Sequence, residues 1–306
     1  MDISGTIKEK AIDLGFDIVG ITQAKAISKA DQQAYTNWLE AGFAGELDYM
    51  HRNFDKRINP AKLLKNAKSV ICVALNIKRA DQKAGTVANF ARYEDYHQFI
   101  KKLLFCLADF IVSAVGDKYR FKICVDSAPV AERALAVRAG IGFIGRNHML
   151  INPKFGPEIL LGEIITDLNL QPDKPIAGSC GSCNKCITAC PTGALQPDSQ
   201  FDARKCISYL TTEYKGRIPK ELAKKFGNRV FGCDKCVQAC PLQNKAPACA
   251  NTDFKYSPEI ANLDLQEILE MSEDKFKSKF TGTVIERLGL DRLQRNTRIC
   301  LENKKN

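Results

Sequence analysis

The sequence predicts a mixed α/β (α+β) domain, then a compact cysteine-ligated module, then a short helical C-terminus. Three observations predict it. Over residues 1–170, short β-branched runs alternate with stretches of helical periodicity. Between residues 171 and 250, seven of the chain's 13 cysteines fall into two runs that each end in Cys-Pro. Over residues 251–306 the pattern becomes polar and helical, clearly so from Leu263 onward. With 306 residues, 45% of them hydrophobic, the chain is long enough for more than one core.

The first clear strand is Ser69-Val-Ile-Cys-Val-Ala-Leu75. The longest apolar stretch, Phe99 to Val115, follows it. Lys101, Lys102 and Asp109 interrupt this stretch while Leu103, Leu104, Leu107, Phe110, Ile111 and Ala114 recur at helical spacing, so it predicts a buried amphipathic helix and not a membrane span. A second strand, Phe121-Lys-Ile-Cys-Val125, ends at Asp126. An acid at the carboxyl end of a strand sits where crevices open in α/β sheets, and it could give or take a proton. The competing reading is a helix cap, a position that Asp favours, because Ser127-Ala-Pro129 leads into a helical stretch with Glu132, Arg133 and Arg138. Gly140, Gly142 and Gly145 match the spacing of a dinucleotide loop, but a helical segment precedes them where a strand is needed. They predict a tight loop against some other large cofactor. Ile159-Leu-Leu-Gly-Glu-Ile-Ile165 is the third strand, and the Pro- and Gly-rich stretch Asn169 to Ser179 is a connector into the cysteine region. Cys72, Cys106 and Cys124 read as small core residues, and Cys300 as an unpartnered cysteine of the last helix.

The cysteine runs are Cys180-Gly-Ser-Cys183-Asn-Lys-Cys186-Ile-Thr-Ala-Cys190-Pro191 and Cys233-Asp-Lys-Cys236-Val-Gln-Ala-Cys240-Pro241. Thiolates at this spacing wrap one 4Fe-4S cluster, and the cysteine before proline reaches across to the other. The pattern predicts a ferredoxin-like module carrying two clusters. One takes Cys180, Cys183, Cys186 and Cys240; the other takes Cys190, Cys233, Cys236 and one more thiolate. Cys206, lying between the runs, is the better candidate for that place, ahead of Cys249 in its Ala-Pro-Ala-Cys-Ala stretch. Zinc knuckles need neither the third cysteine nor the proline. Disulfides require an oxidising compartment, whereas the polar start of the sequence shows no signal peptide, so the expected location is the cytoplasm.

The formal net charge is +10. The basic residues concentrate in three groups: Arg52, Lys56, Arg57, Lys62, Lys65 and Lys68; Lys215, Arg217, Lys220, Lys224, Lys225 and Arg229; and Arg287, Arg292, Arg295, Arg298, Lys304 and Lys305. Such groups suit a polyanion, although solvated helix faces produce them equally well. Only three histidines are present, His51, His97 and His148, which argues against a multi-histidine metal centre.

Taken in order, Val125-Asp126-Ser-Ala-Pro129-Val-Ala-Glu132-Arg133, Gly145-Arg-Asn-His-Met-Leu-Ile151, Leu161-Gly-Glu163, the two cysteine runs and Cys206-Ile-Ser208-Tyr209-Leu-Thr resemble the tRNA epoxyqueuosine reductases over about residues 1–300. The resemblance implies a cobalamin-binding catalytic domain related to reductive dehalogenases at 1–170. It also implies a ferredoxin-like two-cluster domain at 171–250 and, at 251–306, the start of a HEAT-like extension. Epoxyqueuosine in tRNA would lose its epoxide oxygen, with electrons from an external low-potential donor passing through the clusters to cobalamin. Asp126 is implied as proton donor, burial having to raise its pKa for that role. Arg57, Leu150, Leu161, Ser208 and Asp234, and Asp126 as well, are implied as cofactor contacts, and Cys206 as the eighth cluster ligand. Lys215, Arg217, Lys220 and Lys224 would hold the anticodon loop, and the enzyme would act as a monomer with no membrane attachment. The sequence departs from the family's Arg-Tyr-Ala-x-Gly-x-Asp-Tyr-His stretch, of which Asp95-Tyr96-His97 remains after Asn89 to Glu94. Two other readings compete: a corrinoid reductase of a small molecule, like the reductive dehalogenases, and a non-enzymatic two-cluster electron carrier.

Overall fold

A computed structural model of the chain describes residues 2–80 and 85–305, the side chain of Lys305 excepted. Its strands are β1 (Ile18–Gln23), β2 (Ser69–Asn76), β3 (Phe121–Cys124), β4 (Phe143–Ile144), β5 (Leu150–Ile151) and β6 (Ile159–Thr166). One sheet has the order β1-β2-β6-β3, and β4 and β5 form a separate pair. Every pairing in the large sheet is antiparallel. The crevice rule for parallel sheets therefore does not place Asp126; its position just past the edge strand β3 does.

All of β2 is buried because the sheet is covered on both faces. Ile71, Val73 and Leu75 point to one core, shared with Ile100, Leu104, Leu107 and Ile111 of the helix Tyr96–Val115. These four helical side chains are fully buried, worth roughly 1.5–3 kcal/mol each. Val70, Cys72 and Ala74 point to the opposite core, against Leu135, Ala136 and Ala139 at the helix Glu132–Arg138. Close packing there explains Gly20 in β1: a Cβ would stand 2.0 Å from the Ala139 carbonyl oxygen. The helix Tyr96–Val115 starts at Asp95, whose carboxylate accepts the His97 N–H at 2.9 Å. Asp95 is thus both a cap and, as shown below, part of the site.

The three segments distinguished by composition do not build separate cores. Val87 and Ala91 pack with Ile268, Phe276, Phe280, Leu293 and Cys300. Trp38 and Leu47 pack on Ile207, Leu210 and Phe226, and the Tyr93 ring stacks on Phe254 at 4.5 Å. Cys72 and Cys124 are buried as expected, and Cys300 is buried too, but Cys106 is exposed, on the outer face of its helix. Among the described residues no helix is long and apolar enough to cross a membrane.

Candidate active site

Each cysteine run winds into one short helical turn, Lys185–Ala189 and Lys235–Gln238, and the two turns pack on each other. Cys180, Cys183, Cys186 and Cys240 line one small cavity beside Asn147 and Ile151. Cys190, Cys206, Cys233 and Cys236 instead line a second, larger cavity. The Cys236 thiol is pushed up first by burial and then by its neighbours Cys206, Cys233 and Cys190. Cys190, Cys206 and Cys240 share an extended backbone, with φ of −73°, −71° and −72°; at Cys190 and Cys240 the following proline imposes it. Cys249 is engaged elsewhere, its N–H donating to the Lys78 carbonyl at 2.7 Å and its Sγ to that of Asn251 at 3.7 Å.

The larger cavity has a volume of about 490 Å³, in the range of cofactor sites. Leu150, Leu161, Ser208 and Asp234 all line it, as does Asp126, so the cluster-side thiols and the candidate acid share one chamber. No histidine is among its lining residues. Arg57 is not among them either; its guanidinium donates to the carbonyls of Tyr49 and Val130, both at 3.4 Å, and its buried Nε has no partner. Tyr49 lines the cavity, so Arg57 acts on the wall from behind.

The glycine loop is explained by protein contacts. A Cβ on Gly142 would stand 2.4 Å from the Ile151 carbonyl oxygen, and one on Gly145 would stand 2.3 Å from the Ile151 side chain. The glycines let the loop press on β5, and only its continuation at Asn147, Met149 and Leu150 reaches the cavity. Arg146 donates its N–H to Cys180 Sγ at 3.4 Å.

Asp126 has a left-handed φ of +52°, which Asp tolerates better than most residues. Its N–H donates to Glu132 Oε1 at 2.6 Å. Ala131 occupies the cap of the following helix and makes no side-chain cap, so the capping reading of Asp126 fails. Instead, Asp126 Oδ2 lies 2.9 Å from His97 Nε2, and His97 Nδ1 lies 2.7 Å from Asp95 Oδ1. Arg287 closes the chain, donating to Asp95 Oδ2 at 2.6 Å. The side chains of His97 and Asp95 are 7% and 6% exposed, whereas that of Asp126 is 57% exposed and open to the cavity.

Charge follows from these contacts. Burial acts to raise the Asp126 pKa, but the hydrogen bond and charge of His97, with Tyr96 and Arg133, carry it below the ordinary carboxylate value. Burial thus acts in the direction that the proton-donor role requires, but the contacts with His97 outweigh it. His97 moves the other way: burial disfavours its charge, yet the hydrogen bonds to Asp126 and Asp95 carry its pKa above the ordinary value. Beneath them, Glu163 is fully buried and neither carboxyl oxygen has a hydrogen-bond partner. Burial, reinforced by Glu132 nearby, drives its pKa well up. Glu132 is itself pushed up to about 7 by burial and by the charge of Asp126.

The basic groups divide by use. Lys215, Arg217, Lys220 and Lys224 are exposed, Lys224 pairing with Glu221 at 3.2 Å. Arg292 and Arg295 instead hold carbonyls of the 210–216 segment: Arg292 those of Thr212 and Glu213, Arg295 those of Leu210, Tyr214 and Gly216. His97 and Arg287 were not singled out from sequence as site residues, although His97 stands beside Tyr96 in the recognisable Asp-Tyr-His remnant.

Residues 179–243 match the 4Fe-4S double cluster binding domain family, and residues 57–127 match the family described as epoxyqueuosine reductase QueG, DUF1730. The chain is similar to the epoxyqueuosine reductase of Vibrio cholerae, with 36% identity over 310 residues covering 98% of this chain and 83% of that one. It is similar in structure to epoxyqueuosine reductase from Streptococcus thermophilus, with a TM-score of 0.91 and 31% identity over 100% of this chain and 82% of that one. A crystal structure of epoxyqueuosine reductase with an epoxyqueuosine-modified tRNA-Tyr stem loop is also similar, with a TM-score of 0.90 and 34% identity over 98% of this chain and 81% of that one.

Proposed function

This chain belongs to the epoxyqueuosine reductase family, and from that premise we propose that it reduces epoxyqueuosine to queuosine in tRNA, the last step of queuosine synthesis. One observation carries the reading: a single cavity has Asp126 on one wall and Cys190, Cys206, Cys233 and Cys236 on another. Low-potential electrons and an acid thereby meet at one place.

Two 4Fe-4S clusters supply the electrons. The grouping of thiols supports ligation of one by Cys180, Cys183, Cys186 and Cys240, and of the other by Cys190, Cys206, Cys233 and Cys236. The second group faces the chamber and is the natural exit for electrons. The lining suits cobalamin: Leu150 and Leu161 give apolar wall, while Ser208 and Asp234 offer polar contacts beside the thiols. Bound there, cobalamin would supply a redox-active metal centre, with Leu150, Leu161, Ser208 and Asp234 as the residues that would hold it. Arg57 holds the carbonyl of Tyr49 and so fixes that wall.

The protein's own contribution is acid catalysis. Asp126 is open to the chamber and donates to the epoxide oxygen as its C–O bonds break, which prevents an uncompensated alkoxide. Lys215, Arg217, Lys220 and Lys224 follow the helix Ile207–Thr212, whose Ser208 and Thr212 line the cavity. They are placed to grip anticodon-loop phosphates while the modified base enters. The enzyme takes electrons from an external low-potential donor and works as a monomer in the cytoplasm.

The test is nucleoside mass analysis of epoxyqueuosine-containing tRNA after anaerobic incubation with reduced protein, with and without cobalamin. Cobalamin-dependent loss of one oxygen is the expected result. An unchanged nucleoside, with cobalamin bound and both clusters reducible, would transfer the chemistry to a small-molecule substrate.

A further inference from the structure

Removal of an epoxide oxygen as water consumes two electrons and two protons. Two C–O bonds break, one C=C bond forms, and both protons end on the same oxygen. A donor aimed at that oxygen must therefore act twice and be reloaded between the two transfers. Asp126 is the side chain in position, so the question is what reloads it.

We propose that His97 is the residue through which Asp126 receives both protons. Its Nε2 is 2.9 Å from Asp126 Oδ2, a direct transfer distance, and Asp95 fixes the ring by facing Nδ1 at 2.7 Å. Arg287 in turn anchors Asp95 at 2.6 Å and lies 3.3 Å from His97 Nε2. The side chain of Arg287 is 51% exposed, so this end of the chain of contacts meets solvent while His97 itself is almost fully enclosed. In the resting site the proton sits on His97, between two carboxylates held below their ordinary range, Asp95 at about 2. It crosses to Asp126 as the substrate oxygen gains charge; His97 then recovers a proton from the solvent at Arg287, and the second transfer repeats the first. Tyr96 is stacked on His97 at 4.0 Å, and Glu132, Arg133, Glu163, Tyr49 and Glu213 are the other titratable and charged groups that feel Asp126.

The inference rests on the epoxide-reduction reading, and its test separates the two. The protein contains three histidines, so 15N imidazole spectra of the full chain with both clusters in place can be assigned to His97 by difference with His97→Gln. Both ring nitrogens of His97 should remain protonated above pH 6.5, and Asp95→Asn should bring that titration down. A neutral His97 ring at pH 6.5 overturns the proposal whatever the enzyme turns out to reduce.

The second readout is turnover of reconstituted enzyme against pH. In His97→Gln the amide can still donate to Asp126 but carries no transferable proton. Turnover at pH 7.5 should fall by about 100-fold or more, and the alkaline limb should move down into the carboxylate range, with iron content and tRNA binding unchanged. Retention of the parental pH profile in this variant overturns the proposal and leaves His97 a merely structural contact. Should His97→Gln fail to fold, Asp95→Asn decides alone: its alkaline limb must move to lower pH, and an unmoved limb refutes the relay. Failure of the parent enzyme to reduce epoxyqueuosine would sink the functional reading while leaving the imidazole titration to stand or fall separately.

Discussion

Replacing Glu132 by Gln should stabilise the protein increasingly as the pH rises. In the parent, Glu132 lies against the fully buried Glu163, whose carboxyl oxygens have no donor, and burial and the Asp126 charge displace its pKa from 4.5 to about 7. A group that holds its proton more tightly when folded contributes fully below the unfolded pKa and loses that contribution as pH rises through the folded one. The displacement corresponds to roughly 3 kcal/mol in total, of which about 2 kcal/mol falls between pH 5.5 and 8. The Gln variant does not titrate, and its amide oxygen can still accept the Asp126 N–H that Glu132 accepts at 2.6 Å. Anaerobic urea unfolding of both proteins across that pH range gives the difference directly. The advantage of the variant should grow by about 2 kcal/mol between pH 5.5 and pH 8. A difference that stays constant with pH, or a variant uniformly less stable, would refute the reasoning and mean that Glu132 is an ordinary ionised carboxylate.

Asp126→Asn should retain both clusters and cobalamin while turnover falls by about 10²–10⁴-fold, measured by nucleoside mass analysis in single turnover; near-parental turnover removes Asp126 from the chemistry. Cys206→Ala should lose the iron of one cluster only, seen by iron assay and electron paramagnetic resonance. Full iron content would pass that ligand position to Cys249. Replacing Lys215, Lys220 and Lys224 together by Ala should weaken tRNA binding and flatten its dependence on salt by up to about 0.7 in log–log slope per lost phosphate contact. An unchanged slope places the RNA on another face.

The cysteine module was legible because ligation fixes residue spacing along the chain itself. Strands β2, β3 and β6 were legible to within one residue as β-branched runs. Strand β1 was missed: Gly20 interrupts its short run, and the reason for that glycine, contact with Ala139, is visible only in three dimensions. The β4–β5 pair has two residues per strand, too few for any periodicity. The link between His97 and Asp126 joins residues 29 positions apart on different elements, and no local pattern announces such a meeting. Charge clustering alone did not separate the three basic groups by use. The structure separates exposed cations such as Lys215 from Arg292 and Arg295, whose guanidinium groups hold backbone carbonyls.

Those two arginines give the helix Leu290–Lys305 a role beyond filling space. Together with Asn296, which donates to the carbonyls of Thr211 and Val230 at 2.9 and 2.8 Å, they clamp the chain between Cys206 and Cys233, just after the one and just before the other. Just ahead of the helix, Arg287 holds Asp95 at the other end of the chamber. The segment from 287 to 296 is therefore a tie-rod, fastened at one end to the electron entrance and at the other to the proton entrance. A fusion partner belongs beyond this helix and never within it. Peeling the helix away would slacken both entrances together, so cluster loss and acid failure should arrive as one defect.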